Sequence, residues 1–131
     1  MTTTAITTYY VQGKISADGN YADCSYFLDQ AAKQPVEGST LSISYGETAC
    51  AIAQADGSEL VLLGASFKTL GRPPVMTDSN FSATDGTGSL QVPMPPSTVV
   101  TKGIVLLFSK AGSVDGLYAS SDPELTNGSG L

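Results

Sequence analysis

Tyr9-Tyr-Val-Gln-Gly-Lys-Ile-Ser-Ala-Asp18-Gly19-Asn-Tyr-Ala-Asp-Cys-Ser-Tyr-Phe-Leu28 is the stretch from which the fold can be read. Asp-Gly between alternating segments is a strong hairpin signal, because a two-residue type I′ turn needs positive φ at both central positions. With Asp18-Gly19 at the tip, Ala17 faces Asn20, Ile15 faces Ala22, Gly13 faces Cys24, Val11 faces Tyr26 and Tyr9 faces Leu28. That side is apolar. The opposite side pairs Ser16 with Tyr21, Lys14 with Asp23, Gln12 with Ser25 and Tyr10 with Phe27, including one opposite-charge cross-strand pair. The pattern predicts a hairpin with one core face and one mixed face.

Asp-Gly recurs at Asp56-Gly57, Asp85-Gly86 and Asp115-Gly116. A hairpin at Asp56-Gly57 would pair Ala53 with Leu60, Ile52 with Val61, Ala51 with Leu62 and Cys50 with Leu63, apolar on both faces. Such a pair either lies centrally in a sheet covered on each side or lends its outer face to another subunit. The third turn would pair Phe81 with Leu90, and the fourth Val114 with Leu117. Val99–Phe108 reads as a further strand, and Leu41, Ile43 and Tyr45 alternate with serines in another. Tyr26–Gln34, ending at Pro35, is the one helical candidate. The proline-interrupted segments Gly71–Asp78 and Val92–Ser97 read as connections between sheets, since proline cannot donate to a central ladder. Lys14–Ala22 and Lys110–Ala119 resemble each other faintly, as two similar turns would.

These elements imply an all-β fold: an antiparallel β-sandwich or flattened barrel of 7–8 strands, built largely from consecutive Asp-Gly hairpins, with at most one short helix. The 131 residues suit one domain, 1–131, with extended arms at 1–5 and 122–131. Glycine (14), serine (16) and threonine (14) favour strands, turns and hydroxyl-rich surface over helices.

Several chemistries are disfavoured. Six Lys/Arg against twelve Asp/Glu give a net charge of −6, and Lys14, Lys33, Lys68, Arg72, Lys102 and Lys110 are scattered singly, so no nucleic-acid footprint forms. No apolar run approaches the roughly 20 residues of a membrane span, so no membrane insertion is expected. Met1–Thr8 has neither a basic nor a continuous apolar region, so no secretory signal is expected; a reducing cytoplasm or a particle is the favoured location. Cys24 and Cys50 are too few for a disulfide scaffold, lack metal-ligand spacing, and read as reduced, buried small hydrophobes. Histidine is absent, which removes the commonest general base and the Ser-His-Asp triad.

The carboxylates mostly have structural uses, so no catalytic residue, metal or cofactor is expected. Asp18, Asn20 and Asp23 imitate the start of a calcium loop but lack its downstream glutamate. Asn80-Phe-Ser82 and Asn127-Gly-Ser129 match a glycosylation pattern, and Pro93–Pro96 a PxxP ligand; a strand-connecting loop is the plainer reading of the latter. What remains is a surface: Tyr10, Gln12, Lys14, Tyr21, Asp23 and Phe27, aromatic area interleaved with hydrogen-bonding groups, suited to a protein surface or a sugar ring. The expected function is a non-enzymatic structural or self-associating protein, a subunit of a particle, tail, filament or inclusion, partnered by its own copies or other subunits. The alternative is a lectin-like carbohydrate-binding module, such as a secreted toxin or defence protein would carry.

Overall fold

A computed structural model describes residues 6–69, 81–85, 88–112, 116–121 and 123–128. It contains ten strands: β1 (Thr7–Ile15), β2 (Ala22–Phe27), β3 (Thr40–Ser42), β4 (Ala49–Gln54), β5 (Leu60–Thr69), β6 (Phe81–Ala83), β7 (Ser89–Pro93), β8 (Thr101–Lys110), β9 (Leu117–Ala119) and β10 (Glu124–Thr126). Among the described residues there is no helix. The all-β sandwich expected from the sequence is present, as a four-stranded sheet ordered β2-β1-β4-β7 and a six-stranded sheet ordered β3-β10-β8-β5-β6, with β9 also paired to β8. The count exceeds the expected 7–8, and four of the ten strands, β3, β6, β9 and β10, are three-residue pieces, β10 lying in the segment expected to be an arm.

The first hairpin forms in the register read from the sequence, from Tyr10 opposite Phe27 to Ile15 opposite Ala22. Its turn chemistry differs. Gly19 has φ 79°, but Asp18 does not share the positive φ that a type I′ turn would need. Ser16 N donates to Tyr21 O (2.9 Å) and Gly19 N to Ser16 O (2.9 Å), closing a four-residue loop. The Asp18 carboxylate accepts from Ser16 Oγ and Asn20 N, and these bonds lower its pKa.

The second expected hairpin does not form. Asp56-Gly57 carries the chain from one sheet to the other: β4 lies between β1, in parallel, and β7, while β5 lies between β8 and β6. Crossing lets each strand bury its larger side chains from opposite sides, Cys50 and Ile52 from β4 against Leu60 and Leu62 from β5. Past the end of β4, the loop's own side chains take over the edge of β1: Gly13 N donates to Ser58 Oγ (3.0 Å) and Ile15 N to Glu59 Oε1 (2.8 Å). Gln12 Nε2 holds the loop by donating to Asp56 O (2.8 Å).

Asp85 also begins a crossing. Phe81 pairs with Ser66 and Leu90 with Ile52, in different sheets, so the expected Phe81–Leu90 pair is absent. The fourth turn does join a hairpin, β8–β9, but Leu117 faces Ser109; Val114 and Asp115 lie outside the described residues. The expected run of consecutive hairpins is thus interrupted: β1–β2, β5–β6 and β8–β9 are sequence-adjacent antiparallel pairs, the chain crosses between sheets elsewhere from β2 to β8, and β1–β4 and β10–β3 pair in parallel. The expected connection Val92–Ser97 runs between the sheets only from Met94 onward, since Val92 and Pro93 belong to the edge strand β7, opposite Cys50 and Ala49; Gly71–Asp78 lies outside the described residues.

The helical candidate is a loop. Asp29 accepts from Lys33 N (2.9 Å) and Gln34 N (2.9 Å), and Leu28 N donates to Gln34 O (2.9 Å). A short polar side chain that binds nearby backbone competes with helix, and nine residues before a proline are too few to overcome nucleation. At the other end, the described part of the expected C-terminal arm is built into the larger sheet, with Leu125 opposite both Lys102 and Leu41 and fully buried. Residues 1–5 lie outside the described residues.

Candidate functional site

Alternation along β1 and β2 puts Tyr10, Gln12, Lys14, Asp23 and Phe27 on the outer face of the four-stranded sheet, in the expected pairs Tyr10–Phe27, Gln12–Ser25 and Lys14–Asp23. The rings of Tyr10 and Phe27 are half-buried, with Ala53 opposite Tyr10 on its other side. Tyr21 is 59 % exposed but stands at the turn. It faces Ser16, six residues along β1 from Tyr10, or about 20 Å at strand rise. One sugar ring cannot span it and the Tyr10–Phe27 pair. Tyr21 instead borders a separate recess of about 460 Å³ with Ser16, Ala17, Asp18, Asp23 and Ser121. Gln12's amide donor is occupied by the β4–β5 crossing.

The larger sheet presents a different outer face, which hairpin reasoning missed. Inward positions Phe67, Ile104, Leu106 and Phe108 are buried, so Ser66, Lys68, Gly103, Val105 and Leu107 face outward. Register sets Phe81, Ser66 and Val105 in one transverse row, and Ala83, Gly64, Leu107 and Ala119 in the next. A bulge between Leu62 and Gly64 turns Leu63 outward as well. Phe81's ring reaches over Gly64, where an added Cβ would meet Phe81 Cζ at 3.3 Å and Ser82 O at 2.8 Å. Phe81, Leu63, Val105 and Leu117 stay exposed, at 50, 38, 38 and 68 %. Beside them lies a groove of about 590 Å³ lined by Ser39, Ser66, Lys68, Gly103, Val105 and Glu124. Lys68 and Glu124 flank Gly103 on one row, opposite charges with no side chain between them.

The buried polar groups hold structure together. Glu47 accepts from Thr7 N (2.9 Å), Thr7 Oγ1 (2.8 Å) and Ser44 N (2.6 Å). Lys102 places Nζ 5.0 Å from the Phe67 ring centroid and donates to Pro93 O, tying the two sheets at one end; burial holds its ammonium below the usual lysine range. Asn127, read from the sequence as a glycosylation match, is fully buried, and Asn80 lies outside the described residues. Among the described residues, no three His, Cys, Asp or Glu side chains gather as metal ligands, and no helix is long and apolar enough to cross a membrane.

Neither cysteine is in a disulfide. Cys50 is buried, and burial together with the charge of Glu47 pushes its thiol up to about 12; Cys24, expected to be buried, is only partly so. At pH 8 the Cys50 thiolate is therefore scarcer than an ordinary thiol's. Iodoacetamide should modify Cys24 in the native protein and Cys50 only after unfolding, as read by peptide mass. Rapid native labelling of Cys50 would contradict the burial described here.

No protein-family model matches the chain, and no curated protein matches it.

Proposed function

We propose that the protein is a non-enzymatic structural subunit that self-associates through the outer face of its six-stranded sheet. The observation that carries this reading is the run of outward apolar side chains, Leu63, Phe81, Val105, Leu107 and Leu117, across β6, β5, β8 and β9. The four-stranded sheet turns Gln12, Lys14, Asp23, Ser25 and Gln91 outward around the half-buried Tyr10 and Phe27. An apolar face of this extent is an interface in waiting, since exposing it to water costs free energy that burial recovers.

A second copy is the occupant that fits. The strands that carry the run, β5 and β8 of ten residues each with β6 and β9 of three each, cover about 400 Å² of sheet at about 4.8 by 3.3 Å per residue, the size of a weak, concentration-dependent contact. The face carries both signs, Lys68 and Glu124, so a two-fold arrangement can set each against its opposite.

Sedimentation velocity tests the assignment. Val105→Asp should abolish concentration-dependent association by burying an unpaired charge, whereas Ser25→Asp on the other sheet should leave it unchanged. Equal association by both variants would overturn it.

The lectin-like reading is favoured by one observation, the 460 Å³ recess that sets the exposed Tyr21 ring beside Asp18 and Asp23. Glycan-array binding lost in Tyr21→Ala would support it over self-association.

A further inference from the structure

Asn127 is the one asparagine in the sequence followed by glycine; Asn20 precedes Tyr21 and Asn80 precedes Phe81. In an Asn-Gly pair the following backbone nitrogen carries no neighbouring Cβ, so it can approach the side-chain carboxamide carbon closely. The fold prevents that approach here. Asn127 Oδ1 accepts from Val100 N (2.8 Å), while Nδ2 donates to Thr98 O (2.9 Å) and Pro95 O (3.1 Å). The attacking group is held too, since Gly128 N donates to Thr126 Oγ1 (3.2 Å). Asn127 is fully buried, so the water required to complete the reaction is kept away.

We infer that Asn127 is a latent deamidation site that the native fold protects and whose reaction, once the C-terminal segment opens, is a one-way release. On opening, Gly128 N loses its proton to water and attacks Cγ of Asn127. The new N–C bond forms as the Cγ–Nδ2 bond breaks, and the carboxamide nitrogen leaves as ammonia. Water then adds to one of the two carbonyls of the five-membered imide, leaving aspartate or isoaspartate at position 127. The net change is amide plus water to carboxylate plus ammonium.

The product cannot restore the latch. A carboxylate lacks the two N–H donors that satisfy Thr98 O and Pro95 O, and its charge would face those carbonyl oxygens in a buried site. β10, which immediately precedes Asn127 and carries the buried Leu125, loses the two side-chain bonds that tie its end to Pro95 and Thr98.

The test uses the full chain held at mildly alkaline pH, folded in buffer and unfolded in urea, with deamidation of the C-terminal peptide followed by mass spectrometry and isoaspartate detection. Conversion at Asn127 should be at least about a hundredfold slower in the folded chain, the protection expected where opening must precede reaction. In urea, Gly128→Ala should slow it. Chains deamidated in urea should fail to regain the native fluorescence and circular dichroism that unreacted chains recover on dilution. Asn127→Asp, the direct mimic, should be less stable than wild type by a margin that grows as pH rises, because protonation restores one donor and ionisation removes it. Equal rates in the two states, no conversion in urea, or full refolding of the deamidated chain would each overturn the inference.

Discussion

Glu47→Ala is expected to lower the unfolding free energy by about 3 kcal/mol, a large fraction of the roughly 5–15 kcal/mol that a domain possesses. Glu47 is 8 % exposed and accepts from Thr7 N, Thr7 Oγ1 and Ser44 N at the junction of the β3–β4 turn with the start of β1. Removing it takes the acceptor from Thr7 N and Ser44 N, and bonds to a charged acceptor contribute about 1.5–3 kcal/mol each. The damage should spread, because Thr7 opens the parallel pairing of β1 with β4 opposite Cys50. Glu47→Gln keeps one acceptor oxygen but turns an NH₂ group toward either Thr7 or Ser44, and should recover about half of the loss. Urea denaturation with an unchanged slope reads both. A Glu47→Ala midpoint within error of wild type would mean that these bonds are not formed.

Gly13→Val is expected to cost about 3 kcal/mol, by a different mechanism. A Cβ at Gly13 would lie 2.8 Å from Phe108 Cε1, with Cδ1 and Cζ at 3.1 Å, and Phe108 is fully buried. β1 and β8 belong to opposite sheets, so the overlap forces the sandwich apart instead of displacing a loop. Shrinking the ring should relieve it. In a double-mutant cycle, Gly13→Ala combined with Phe108→Leu should be more stable than the two separate losses imply, with a coupling of about 1 kcal/mol or more. Additive losses would place these residues out of contact, which the two-sheet arrangement forbids.

How much of this was readable in advance depended on whether the information was local. The β1–β2 register follows from the sequence because Val11, Gly13 and Ile15 alternate with Gln12 and Lys14, so a one-residue slip would turn the core face to solvent. No such constraint acts on β4 and β5, whose apolar residues run on both faces, and a dipeptide turn does not specify a hairpin over a crossing. The groups that decide it, Ser58 and Glu59 taking the backbone donors of Gly13 and Ile15, act more than forty residues away in sequence. Parallel pairings of short strands such as β3 with β10 are likewise long-range products.

The candidate surfaces divide the same way. Tyr10 and Phe27 were found together because hairpin register fixes them, and Tyr21 stands apart because it lies at the other end of that hairpin. The doubly apolar character of Cys50–Leu63 does suggest an outer face available to another subunit. Its true extent, joining Leu63 to Phe81, Val105 and Leu117, depends on a bulge and on strand order. In the sequence Asn127 is only a glycosylation match, because nothing local shows that Pro95, Thr98 and Val100 will converge on it.

Self-association through the six-stranded sheet is tested most directly by the mass of the full chain in solution, measured by multi-angle light scattering across a wide dilution series. The prediction is a species heavier than the 13.4 kDa chain at high concentration that dissociates on dilution. A constant 13.4 kDa at every accessible concentration would contradict it.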